Sequence, residues 1–235
     1  MALAIKPQRL LRRCFSTPTA APVLALGAAG AVPGSLGVVQ GDGEIPYKPE
    51  ALAKKRENAE NWIDRDPELK CYLPGIPRAM YLPHPFQITQ STDKIHIAYS
   101  FSNTARTIHM DKVEPPRDQT WMGHSVGRWE GDTLVIDTIG LQAKNSYLDW
   151  YRTPHTEKLH VVERFRLADG GQGLEVKVHV EDPGAFTTPW DAVTRYRIDR
   201  RDAEVPLHEM LCAENNEDHF SQGLVPIPQA DKADF

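Results

Sequence analysis

The run from Thr120 to Gly140 constrains this chain more than any other stretch. Residues 124–129 and 133–138 alternate polar and apolar side chains on either side of Glu130-Gly131-Asp132. Strict alternation has the two-residue period of a strand, and a Gly-Asp pair between two such runs predicts a tight hairpin. The loop is either Glu130-Gly131 or Gly131-Asp132; the two choices shift the pairing by two residues and leave the faces unchanged. One face carries Ser125, Gly127, Trp129, Leu134, Ile136 and Thr138. The other carries His124, Val126, Arg128, Thr133, Val135 and Asp137. His124 and Asp137 stand opposite in one register and diagonal in the other, so they are neighbours in both.

Further strands follow from the same period. The patterns predict strands over 85–90, 94–101, 105–110, 158–167, 174–181 and 192–198, mostly joined by turn-length segments rich in Ser, Asp and Gly. Ahead of them, 45–65 reads as one largely solvated amphipathic helix with Pro49 in its first turn. Three prolines within the segment 67–77 exclude regular structure there. A chain of short strands after one helix is expected to be all-β: an antiparallel meander closed into a calycin or lipocalin-like barrel, because closure removes exposed edges. An open sandwich is the alternative. The boundaries expected are 1–41 for a targeting segment, 42–65 for the lead-in and helix, 66–220 for the barrel and 221–235 for a tail.

Residues 1–41 contain no Asp or Glu and place Lys6, Arg9, Arg12 and Arg13 before a run of small residues, the order of a secretory signal. Export to the periplasm or beyond is the expectation, with a mitochondrial presequence as the competing reading. Loss of that segment would leave Cys71 and Cys212 as one pair, which an oxidising compartment can join; two unrelated thiols are the alternative. A net charge of −5 without a basic stripe excludes a nucleic-acid footprint, and no apolar run is long enough for a membrane helix. No metal-ligand spacing and no phosphate-binding glycine loop is present, so no metal and no cofactor is expected.

Several segments carry a resemblance. They are Asp66-Pro67 through Cys71 to Pro74-Gly75-Ile76-Pro77-Arg78, Pro85-Phe86-Gln87-Ile88, the run from Trp121 to Thr138, His155 with Leu159 through Phe165, Asp182-Pro183, and Cys212-Ala213-Glu214-Asn215-Asn216. Together they resemble a large family of uncharacterised exported bacterial proteins, over roughly residues 45–220. The resemblance implies a periplasmic or secreted β-rich domain and assigns no activity.

His124 and Asp137 are the first candidates for acid–base chemistry, since a carboxylate beside an imidazole orients the ring and fixes its tautomer. The opposing possibility is an exterior face, with Trp129, Leu134 and Ile136 pointing inward. Glu163 is the second candidate: it shares a face with Val161 and Phe165, where a carboxylate needs a partner such as Arg106 or Arg195. Tyr99, between Ile97 and Phe101, adds a phenol to the same interior. Trp121, Trp129, Phe101, Arg106 and Phe165 complete the expected lining of a binding cavity. The expected function is a barrel enclosing a small, mostly apolar organic molecule. It is either a cofactor-free isomerase, cyclase, lyase or hydratase or a carrier without catalysis; a third possibility is an envelope protein docking a partner through Trp150-Tyr151.

Overall fold

The computed structural model describes residues 13–16, 38–41, 43–82, 84–111, 113–171, 173–198, 207, 210 and 212. Ten strands form one sheet: β1 (Arg13–Ser16), β2 (Val38–Val39), β3 (Phe86–Gln90), β4 (Lys94–Tyr99), β5 (Ala105–His109), β6 (His124–Glu130), β7 (Thr133–Ile139), β8 (His160–Ala168), β9 (Gly173–Glu181) and β10 (Trp190–Ile198). From β3 to β10 each strand lies beside its neighbour in sequence. β1 pairs antiparallel with both β3 and β10, closing the sheet on itself, and β2 pairs with the Ala192–Val193 stretch of β10. The chain therefore folds as the closed all-β barrel that its alternation predicts.

The meander has one departure. β5 and β6 run parallel, with Ile108 opposite Ser125, where the alternation alone suggested antiparallel neighbours throughout. The polar segment from Met110 to Gly123 makes this possible, because it is long enough to carry the chain back to the other end of the barrel. The central hairpin uses the Gly131-Asp132 loop, with Glu130 opposite Thr133 and Gly131 at φ +61°. That positive φ is the conformation a two-residue hairpin turn demands and glycine accepts without strain.

The predicted helix is present but interrupted. α1 (Pro49–Glu60) begins with Pro in its first turn and ends at Asn61, whose side chain bonds back to the Glu57 carbonyl; α2 (Trp62–Arg65) follows. α3 (Arg78–Tyr81), directly after the proline-rich stretch, is buried at every residue. It plugs the interior: the Tyr99 hydroxyl donates to Met80 Sδ at 3.4 Å and the Tyr196 hydroxyl to the Met80 carbonyl at 2.7 Å. Inward side chains of β3 to β10 complete the core, among them Ile88, Ile97, Ile136, Val161, Phe165 and Val178, each at most 1% exposed. Cys71 and Cys212 are joined, tying the loop before α3 to the chain beyond β10. The expected tail falls outside the described residues, and the expected targeting segment falls outside them except at β1 and from residue 38 on.

Candidate functional site

The barrel interior holds one polar centre, built from a single residue on each of four adjacent strands. Arg106 on β5, Ser125 on β6, Thr138 on β7 and Glu163 on β8 all point inward and are at most 1% exposed. Arg106 Nε donates to Ser125 Oγ at 2.9 Å and its Nη2 donates to Thr138 Oγ1 at 2.6 Å. The same Nη2 lies 2.6 Å from Glu163 Oε2, and the two hydroxyls are 3.0 Å apart. Of the two arginines suggested for Glu163, Arg106 is its partner; Arg195 lies on the outside and pairs with Glu175.

The pair is dehydrated, so each charge depends on the other. Burial alone lowers an arginine's pKa, but the Glu163 carboxylate outweighs it and raises that of Arg106, keeping the guanidinium charged. Burial first raises Tyr99, Tyr81 and Tyr196, so these phenols stay neutral at ordinary pH. Satisfaction is incomplete: Arg106 Nη1 and Glu163 Oε1 have no hydrogen-bond partner among the described residues. A spare donor and a spare acceptor in one buried ion pair are uncommon in a native interior.

His124 and Asp137 do not form the expected pair. They occupy the outer face on diagonal positions, because Trp129, Leu134 and Ile136 take the inner one. The His124 ring packs on His109 with 5.4 Å between centroids, and its Nε2 lies 3.2 Å from the Val113 carbonyl. Partial burial first, then the neighbouring His124, hold His109 below the usual histidine range. The imidazole beside Asp137 is His160 on the adjacent β8, at 3.0 Å.

That contact begins a ladder of alternating carboxylates and imidazoles across the outer wall. His160 Nδ1 lies 3.2 Å from Glu181 Oε2, Glu181 Oε1 lies 3.2 Å from His179 Nε2, and His179 Nδ1 lies 2.8 Å from Asp191 Oδ1. A neutral imidazole has one N–H and satisfies only one flanking carboxylate, whereas imidazolium donates to both. Partial burial lowers the pKa of His179, but hydrogen bonds to Asp191 and Glu181 outweigh it and raise that pKa above 6.5. A raised folded-state value means the contribution is present below the unfolded pKa and is lost as pH rises through the folded one. With the side chain 37% exposed, solvent screening limits it to under about 1 kcal/mol. Titrating His179 by NMR should give a midpoint above 6.5 that falls on Asp191→Asn; an unchanged midpoint would show the ladder to be idle.

The other expected lining residues scatter. Phe165 is in the core next to the polar centre, and Trp129 is half-buried against the core. Phe101 is buried against His84, with 5.7 Å between ring centroids. Trp121 lies outside the barrel wall in the loop before β6, where it stacks on Tyr72, because the strand begins only at His124. Two concavities of about 260 and 250 Å³ lie on the outer wall; the first is lined by Val162, Arg164, Lys177, His179, Asp191 and Gln40. No group of three or more His, Cys, Asp or Glu among the described residues is arranged to hold a metal ion. None of their helices is long and apolar enough to cross a membrane.

Sequence reasoning missed that ladder and also a second arrangement. Ser146 Oγ lies 3.1 Å from His155 Nε2, and both residues are buried in the irregular segment between β7 and β8. No periodicity marks such a pair.

The class defined by this strand order and closure is a closed, largely antiparallel β-barrel with a charged, hydrogen-bonded centre. No family model matches the chain, and no curated protein matches it. Among solved structures, a point mutant of the fluorescent protein UnaG is similar over 57% of this chain and 86% of that one, at 14% identity and a TM-score of 0.29.

Proposed function

We propose that the barrel holds a small, mostly apolar organic molecule and serves as a carrier, with Arg106 and Glu163 receiving the ligand's polar group. The observation that carries this reading is the spare Arg106 donor beside the spare Glu163 acceptor in an otherwise apolar interior. A group that accepts and donates side by side, such as an amide or lactam, complements the two, and the apolar surroundings favour a hydrocarbon body. In this reading the ligand takes the place of contacts that Met80 now makes, so entry is through the end carrying α3. The isomerase, cyclase, lyase or hydratase alternative gains nothing from His124 and Asp137 on the outer face. Export is part of the proposal, and the Cys71–Cys212 bond supports it, since such bonds persist in oxidising compartments.

Native mass spectrometry and tryptophan fluorescence, with a panel of alkyl amides and lactams against hydrocarbons of equal size, test the assignment. Wild-type protein should prefer the amides, and the double variant Arg106→Met/Glu163→Leu should fold yet bind them at least about tenfold more weakly, the loss expected for one or two buried hydrogen bonds. Binding by neither protein, or equal binding by both, sinks the proposal.

A further inference from the structure

We propose that Ser146 is an activated nucleophile for acyl esters, with His155 as its base, at a site separate from the barrel interior. The geometry supplies a nucleophile, a base and a group that orients the base. His155 Nδ1 lies 3.1 Å from the Thr156 carbonyl, which accepts only from an N–H. That bond fixes the proton on Nδ1 and leaves the Nε2 lone pair facing Ser146 Oγ, at 3.1 Å. Thr156 is itself held, its N–H and its hydroxyl both donating to Asp182 at 2.6 Å. The orienting carbonyl is therefore part of a braced turn. His155 is 7% exposed; burial first lowers its pKa, against the Thr156 bond and the Asp182 charge, so the ring is neutral at ordinary pH.

Gly75, at φ +71°, abuts the hydroxyl so closely that a Cβ there would sit 3.0 Å from Ser146 Oγ and 3.1 Å from the Trp121 carbonyl. A side chain there would press on the hydroxyl, so only glycine lets the backbone approach the nucleophile this closely. Arg78 packs over Tyr147, the residue after Ser146, with 5.8 Å from its guanidinium carbon to the ring centroid. Its Nη2 is held by Asp66 at 2.9 Å and Glu68 at 3.3 Å, while its Nε and Nη1 have no hydrogen-bond partner among the described residues. Ser146 is 6% exposed, between the half-buried Asn145 and the buried Tyr147, so the pair lies one layer beneath the surface.

In the step proposed, Ser146 Oγ bonds to the ester carbonyl carbon while its proton passes to His155 Nε2. The carbon–alkoxide bond then breaks, and the alcohol leaves with that proton. Water attacks the Ser146 ester by the same path in reverse, giving the carboxylic acid and restoring the hydroxyl. The test treats the full chain with a fluorophosphonate, which forms an Oγ–P bond and releases fluoride, followed by peptide mapping. An adduct on Ser146 is expected, formed at least about 100-fold faster than in His155→Gln, the usual scale of general-base assistance. Its rate in wild-type protein should rise with pH to a plateau, with a midpoint below 6.5, because the base must be unprotonated. A missing Ser146 adduct, or a rate flat with pH, overturns the proposal even if the His155→Gln variant does not fold.

Discussion

Arg106→Met is expected to cost about 3–5 kcal/mol of stability, because it leaves the Glu163 carboxylate charged and unpaired at zero exposure. Glu163→Leu should cost as much by stranding the guanidinium. In a barrel of this size that corresponds to a fall in Tm on the order of 10 °C, a large share of a stability of about 5–15 kcal/mol. The double variant Arg106→Met/Glu163→Leu behaves differently. It replaces the pair with apolar groups of comparable volume in an apolar setting, so it should be neutral to slightly stabilising. Urea unfolding of the four proteins completes a double-mutant cycle whose coupling term isolates the pair. If the single variants lose less than about 1 kcal/mol, water reaches the centre and the barrel is not closed around it.

Reduction, or Cys71→Ser with Cys212→Ser, should be the second large effect. The bond spans a sequence separation of 141 residues, nearly the whole barrel, and in the chain-entropy account it contributes about 4–5 kcal/mol by restricting the unfolded chain. Thermal unfolding with and without reductant reads this directly, and the intact mass should rise by the two protons gained on reduction. The loss should fall locally as well. Cys71 lies between Asp66 and Arg78, whose buried ion pair at 2.9 Å shapes the loop before α3. Hydrogen exchange should therefore rise first in 66–81. A Tm insensitive to reductant would mean that the loop is held by its ion pairs, Arg78 and Arg152 on Asp66 and Arg78 on Glu68, without help from the disulfide.

Alternation made much of the barrel legible. Eight of its strands begin and end within two residues of the positions that a period of two assigns them, because each buries one face and cannot slip by one residue without inverting it. The interior pair was readable for the same reason: Glu163 between Val161 and Phe165 has to meet a cation, and Arg106 faces the same way beside Ile108. What failed was pairing beyond the hairpin. Asp137 borders two strands, and nothing in residues 124–138 says that β8 brings it a closer imidazole in His160. The inner and outer faces were open because Val135, on the outer one, is as apolar as the residues beside it and fully buried. α3 and the Ser146–His155 pair lie in irregular backbone, held by single contacts such as Leu148 N–H to the Thr153 carbonyl, which leave no repeating trace.

The parallel β5–β6 joint has a consequence for parity. Eight strands that reversed at every step would end pointing opposite ways, and the last could zip onto the first as an antiparallel neighbour. One unreversed step cancels that, so β3 and β10 share a polarity and their edges are alike. A single strand running against both reconciles them, the direction in which Arg13–Ser16 is laid down. The barrel's seam is thus drawn from the chain's own leading segment, and any maturation that discards it hands the mature protein two like edges with the slanted parallel ladder as their direct means of closing.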